Sequence, residues 1–402
     1  MVVIKYLLPA LAAANLALAA DCGGDGTIKI SSQGDADGYS SCKKLKGDVE
    51  IDGKARDTIT LNGVKEIEGS FKAESATNLT ELSAPSLESI GDKFELDGLT
   101  ILSKLSMGSL TSVGSIKWQA LPNLQTLDFG KSVSKADKVE ITNTALTNLD
   151  GISLDNIGDL TITENRYLKS VNLDGLTKST GLINFAGNLN SLEVELPKLI
   201  SGSNMTFRNV SNVSVPSLHN LTGQLGFWGD GFKIFSAPNL TESSDLTFIG
   251  NKEARNISMP KLEYVNGGFH ISKNDKLKSV EFPELKKVTG AVDFSGKFDE
   301  ASLPSLDTVK GGFNMQSTGN FSCEPFKKMN KNQVIHGKFK CVGETKNPKT
   351  KSGESGTSDS SGTSTGSSSS STSSGAAVVD NVANMPAMGM AAIFGYLLQY
   401  AM

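Results

Sequence analysis

From Val49 to Met315 the chain repeats one hydrophobic signature: an apolar residue, a polar or small residue, a second apolar residue, then a turn-rich stretch. The pairs begin with Val49/Ile51, Phe71/Ala73, Phe94/Leu96, Ile116/Trp118 and Val139/Ile141. They continue through Leu160/Ile162, Ile183/Phe185, Met205/Phe207, Leu225/Phe227 and Leu246/Phe248 to Phe269/Ile271, Val292/Phe294 and Phe313/Met315. Successive first members lie 20–23 residues apart over thirteen units. A phase held over that length marks a repeat architecture, and no unit follows the 3.6-residue period of a helix.

A second element keeps the same phase. Pro-x-Leu recurs at Pro85, Pro122, Pro197, Pro216, Pro238, Pro260, Pro283 and Pro304, usually with an apolar residue three past the Leu, as at Ile90, Val265, Val288 and Val309. Proline has no backbone donor and belongs at strand starts or corners. Each unit therefore predicts one coil, with apolar–x–apolar as a short strand whose alternate side chains point inward. A single coil cannot bury its apolar face. Stacked coils bury each other, and thirteen of them at the ~4.8 Å strand spacing make a rod of ~60 Å. Asn165, Asn188, Asn251 and Asn274 each lie three residues after the second strand residue. In stacked coils they would align as a ladder that hydrogen-bonds turn backbone, at corners where Asn tolerates left-handed geometry.

The inward phase fixes an outward row: Glu50, Lys72, Glu95, Lys117, Glu140, Thr161, Asn184, Thr206, Gly226, Thr247, His270, Asp293 and Asn314. The first five alternate in sign, which on adjacent strands favours register and solubility. Two residues further along the strands come Arg208, Trp228 and Ile249. A Trp beside an Arg can stack a sugar ring and hydrogen-bond its hydroxyls, so these three, with His270 at the rim, form a candidate ligand patch. Paired carboxylates for glycoside chemistry would have to come from Glu50, Asp52, Glu74, Glu95 and Asp97. On a flat solvent-facing sheet nothing raises the pKa of an acid among them. The histidines His219, His270 and His336 have no consistent partners, and neither a nucleophile elbow nor a phosphate loop is present.

The ends of the chain place it outside the cell. Lys5, an apolar run to Leu18 and Ala17-x-Ala19 read as a signal peptide, 1–19, with cleavage after Ala19 or Ala20. The run is too short for a membrane span. Residues 344–375 are mostly Ser, Thr, Gly and Lys and predict an unfolded, O-glycosylated stalk. Small residues, a spacer and the uncharged apolar tail Met385–Met402 follow in the order of a GPI signal, with attachment at Gly375, or alternatively Ser374 or Asn381, and removal of 376–402. Four cysteines allow three pairings, of which the spacing favours Cys22–Cys42 and Cys323–Cys341. In a 60 Å rod these pairs sit at opposite ends and close them. No C-x-x-C or paired His near them supports a metal. Asn-x-Ser/Thr acceptors stand at Asn78, Asn204, Asn209, Asn212, Asn220, Asn239, Asn256 and Asn320. Six of them crowd into 204–256, which predicts a sugar-coated flank there. A net charge of −4 without a polybasic segment gives no reason to expect nucleic acid or nucleotide.

The ordered combination resembles the fungal GPI-anchored wall proteins of the "extracellular mutant 33" and "sporulation-specific protein 2" type. It comprises the signal peptide, the Asp21-Cys22 start, Pro-x-Leu coils, second Cys pair, Ser/Thr stalk and apolar tail, and covers the whole chain. The resemblance implies an all-β fold: a right-handed parallel β-helix, or L-domain-like leucine-rich solenoid, over 20–343, of about 13 coils with disulfide-closed ends. It also implies a non-enzymatic role in cell-wall organisation and integrity, at the outer face of the plasma membrane and in the wall. No cofactor and no catalytic residues carry over. The expected partners are wall polysaccharide or wall mannoproteins, and the membrane through the GPI lipid. A glycan- or protein-binding surface receptor or adhesin, and a wall polysaccharide-remodelling enzyme, are the alternatives.

Overall fold

The computed structural model describes residues 22–24 and 26–350. The signal segment, Gly375, Ser374, Asn381 and the apolar tail lie outside the described residues. The repeat folds as predicted into a solenoid of parallel strands. One column of strands runs its length, with Val49 opposite Phe71, Phe71 opposite Phe94, and so on to Val292 opposite Phe313. The column also extends one strand beyond the predicted thirteen at each end, to Ile28–Ile30 and Phe339–Val342. Those two terminal strands carry the same apolar–x–apolar pattern but fall inside the cysteine loops, where the Pro-x-Leu phase is missing.

Two further columns complete each coil. Short strands such as Tyr264–Val265, Lys287–Val288 and Thr308–Val309 form the second, and bury the apolar residue that follows Pro-x-Leu. The third is broken into four groups, among them Arg56–Thr60 with Asn78–Ser83, and Ile234–Ser236 with Asn256–Ser258. Pro-x-Leu makes the corner between the third and second columns. In the coil of Pro85 the N–H of Leu87 donates to the carbonyl of Ala84 (3.2 Å), and the same bond recurs from Leu199 to Leu196 and from Leu285 to Phe282. Proline takes the second position of a four-residue turn, where its fixed φ fits and no donor is required.

The corner after the main strand uses a left-handed residue. Gly98, Gly187, Gly229 and Gly250 fill it in some coils, and Ser75, Asn143, Glu164, Asn209 and Lys273 in others, with φ between +54° and +70°. The ladder asparagines stand one residue later. They do not themselves supply the left-handed geometry expected of them; they tie the corner to the next coil. Asn188 accepts from the N–H of Asn165 (3.0 Å) and donates Nδ2 to the carbonyl of Ile162 (2.8 Å). Asn274 does the same to Asn251 and Phe248 (2.9 and 2.8 Å).

The core is one continuous apolar cluster along the rod axis. Phe185, Phe207, Phe227 and Phe248 stack ring on ring at 5.8, 5.2 and 5.0 Å between centroids. Each fully buried side chain of this size contributes about 1.5–3 kcal/mol before chain entropy is subtracted. Helix α1 (Gln33–Gly38), capped by Ser32, and helix α2 (Glu324–Lys331) stand near the two ends. Disulfides Cys22–Cys42 and Cys323–Cys341 close those ends, as the spacing predicted.

Candidate functional face

The main column presents the outward row to one broad face. Its first part carries the alternating charges, but the pairing differs in detail from a simple cross-strand ladder. Lys117 bonds Glu95 (2.8 Å) and Lys29 approaches Glu50 (3.5 Å). Lys72 instead lies 3.8 Å from Asp48, and Glu140 takes Lys138 of its own strand (3.5 Å). Glu95 is buried. Burial pushes its pKa up, but the Lys117 hydrogen bond and the charges of Lys117 and Lys93 outweigh that, and the net shift is downward. A carboxyl so held is an ion-pair member and not a glycosidase acid.

From Thr161 onward the row loses its alternating charges, keeping Asp293 as its acid, and sinks. It was expected to be exposed. Instead Asn184, Thr247, His270, Asp293 and Asn314 are buried. The cause is lateral: each polar side chain leans on its neighbours in the next coil. Thr206 donates to Asn184 (2.8 Å), Gln224 to Thr247 (3.2 Å) and Asn314 to Asp293 (2.7 Å). Residues past the last strand add a cover. The Nδ2 of Asn314 and the Nε2 of Gln316 both donate to the carbonyl of Lys349 (2.9 Å each), and the N–H of Thr345 donates to the carbonyl of Ser317 (3.0 Å). The first residues of the Ser/Thr-rich segment are therefore laid against the last coils, a feature no sequence signal announced.

Arg208, Trp228 and Ile249 are register neighbours in consecutive strands, as the phase required. Their arrangement was not legible from the phase. The Trp228 ring folds back over Gly226, where a Cβ would collide with ring atoms Cη2 and Cζ3. Gly226 is thus the gap in the row that seats the indole. Over that ring stands the guanidinium of Arg208, 4.6 Å from the centroid. The ring is half-buried, and its Nε1 is buried without a partner. What the expected aromatic platform offers to solvent is a planar cation stacked on an indole, with half-exposed Ile249 beside it.

His270 is not at an open rim. It lies one strand beyond Thr247 and buried, with Nε2 2.7 Å from the Ser272 hydroxyl and Nδ1 3.7 Å from the Asp293 carboxylate. Burial lowers its pKa, which Asp293 opposes, so the imidazole is neutral at physiological pH. Ser, His and Asp meet here in the order of a hydrolase triad, yet Ser272 is 2% exposed and closes the strand Phe269–Ser272, packed between the strands on either side. Nucleophilic catalysis needs an approachable hydroxyl and free donors aimed at a developing oxyanion. A regular ladder commits its backbone N–H groups to the next strand. No cluster of His, Cys, Asp or Glu able to hold a metal occurs among the described residues.

The eight sequon asparagines are all exposed or half-exposed, but they do not share a flank. Asn204 opens a main strand, Asn209 sits at the following left-handed corner, Asn212 and Asn256 lie in the third column, Asn239 follows a corner proline, and Asn220 lies in the second column. Acceptors between 204 and 256 encircle the coils. On the main face they stand at the two edges of the strand that carries Arg208.

These features define a class: a disulfide-closed parallel β-solenoid with one broad polar face and Asn-x-Ser/Thr motifs around it. Comparison with known proteins makes it specific. The family model "Ecm33: GPI-anchored cell wall organization protein" matches residues 1–40. "Protein ecm33" of Aspergillus fumigatus is 61% identical over 403 residues, 100% of both chains. "Cell surface GPI-anchored protein" of Arthroderma benhamiae is 46% identical over 89% of this chain and 92% of its own. "Cell wall protein ecm33" of Schizosaccharomyces pombe is 32% identical over 83% and 79%. The chain belongs to the Ecm33 family of GPI-anchored cell wall organization proteins. It is held at the cell surface and in the cell wall.

Proposed function

We propose that the protein organises the wall by holding neutral polysaccharide against the main-column face, without turning it over. Arg208, Trp228 and Ile249 are the contact strip. The arrangement of Arg208 on Trp228 carries this reading. A guanidinium fixed by cation–π contact has lost its rotamer freedom before binding, and its remaining N–H donors can meet sugar hydroxyls. Ile249 and the indole edge supply apolar surface for ring C–H groups. The row positions flanking the strip, Thr206, Gly226 and Thr247, carry no charge, which suits an uncharged polymer. The sunken Ser272 and the ion-paired Glu95 support the absence of catalysis. The anchor is assigned to Gly375, with Ser374 and Asn381 as alternatives, 344–375 to the glycosylated stalk, and the eight sequons to N-glycans.

The test is a pull-down of the mature glycoprotein on insoluble glucan and chitin, with product analysis of the supernatant. Saturable binding without product, weakened about tenfold or more by Trp228→Ala or Arg208→Ala, is the expected result; a tenfold change corresponds to ~1.4 kcal/mol. Released oligosaccharides would establish an enzyme instead. Binding only to wall mannoproteins would move the partner from polysaccharide to protein.

A further inference from the structure

One position of the Asn ladder carries a carboxyl where Asn165, Asn188, Asn251 and Asn274 carry amides. Asp230 stands three residues after Phe227, the ladder position, and only 2% of it is exposed. Its main chain behaves as a ladder residue: its N–H donates to Oδ1 of Asn251 (2.8 Å). Its Oδ1 accepts from the N–H of Val210 (2.7 Å), the bond that Asn188 and Asn274 make to the coil before them. The second terminal atom breaks the series. In Asn165, Asn188, Asn251 and Asn274 that atom is Nδ2, and it donates to the carbonyl of the second apolar residue in the preceding main strand: Ile141, Ile162, Phe227 and Phe248 respectively (2.9, 2.8, 3.4 and 2.8 Å). In Asp230 it is Oδ2, buried with no hydrogen-bond partner. The equivalent carbonyl belongs to Phe207.

A carboxylate oxygen aimed where an amide donates faces lone pairs with lone pairs. A carboxylic acid removes the conflict, because its O–H donates as N–H does. We infer that Asp230 is a neutral acid in the folded protein, donating its proton to the Phe207 carbonyl in place of an asparagine amide, and that this proton ties the coil carrying Trp228 to the coil carrying Arg208. The inference does not depend on what the face binds. Burial pushes the Asp230 pKa up to about 8, against the opposing pull of the Val210 and Trp228 N–H groups and of Arg208, the charged side chain that acts on it.

The consequence is a pH-dependent joint. The unfolded Asp ionises near its ordinary value of about 4. The joint's stabilisation is fully present below that pH, declines as pH rises, and is lost as pH passes about 8. Above that value the proton leaves to solvent and the carboxylate remains, buried against a carbonyl.

The experiment compares the full-length mature glycoprotein with Asp230→Asn, measuring Tm from pH 3 to pH 9. The amide completes the ladder without a proton, so the variant matches the wild type at pH 3 and exceeds it by a margin that widens to about pH 8 and then levels. A margin that stays flat with pH, or a variant less stable at neutral pH, would overturn the inference and identify an ionised Asp230 paired with Arg208. Infrared spectroscopy of the wild type at pH 6 gives a second reading that needs no variant stability. A protonated-carboxyl band lost on raising the pH through 8 supports the neutral acid, and its absence at pH 6 refutes it.

Discussion

Gly226 shows how a single missing side chain can shape a surface. Every other position in its row carries a side chain, and each coil brings one close to the next. Removing one at 226 opens a seat for the Trp228 ring, which in turn fixes where the Arg208 guanidinium stands. Gly226→Val would fill the seat and expel the ring. Because 226 is an outward strand position and Val favours strands, the fold should persist. The expected outcome is a red-shifted Trp emission and loss of polysaccharide retention, with an unchanged far-UV spectrum. Retention equal to wild type would remove the strip from the binding face. Glu95 makes an opposite residue-scale point. Its folded pKa is depressed, so its stabilisation is present above the ordinary carboxylate range and fades as pH falls through the folded value. Glu95→Gln should lower Tm at pH 7 and converge on the wild type by about pH 3, where both side chains are neutral.

At the scale of the element, the corner after the main strand is the weak point of each coil, because backbone groups there turn away from the ladder. Asn251 satisfies two of them, the N–H of Asp230 and the carbonyl of Phe227. Asn251→Ala leaves both buried without partners. Each such group costs about 1–3 kcal/mol, so a loss of ~2–6 kcal/mol in chemical denaturation is expected. Amide exchange should quicken first around Gly229–Asn251. A loss below ~0.5 kcal/mol would mean that the ladder is ornamental to stability. The corner prolines act differently, since a residue with no N–H leaves none to satisfy where Pro85 or Pro283 turns the chain.

The whole molecule is close to one-dimensional. Each coil touches chiefly its two neighbours, so stability is a sum of coil and interface terms and the ends are the places to fray. The disulfides stand there. Each closes a loop of 20 or 18 residues, which stabilises by about 3 kcal/mol in the chain-entropy model. Opening Cys22–Cys42 with a double Cys→Ala change should remove exchange protection from the first coils, Ile28 to Thr60. The Phe185–Phe248 stack and the Cys323 end should stay protected. Uniform loss of protection along the rod would contradict independent coils. The placement of the Asn-x-Ser/Thr motifs belongs to this scale too. If the acceptors around the circumference between 204 and 256 carry glycans, the proposed main-face strip between its two edges is where a polymer would meet protein and not sugar.

The coil period, the inward residues, the corner prolines, the disulfide partners and the register of Arg208 with Trp228 could all be read from the chain. They follow from spacing: a two-residue alternation and a period near 22 decide which atoms meet when coils stack, whatever the fine geometry. The position of Asp230 in the Asn series was equally open to reading, three residues after Phe227. What spacing does not contain is how side chains lean once they share a face. The seating of Trp228 on Gly226 under Arg208, the sinking of His270 beside Ser272 and Asp293, and the docking of Lys349 on Asn314 and Gln316 depend on rotamers and on segments far apart in the chain. The spread of sequons around the rod likewise depends on where each corner falls in cross-section. Those were decided by the tertiary structure alone, because they arise from contacts between coils and not from the pattern within one.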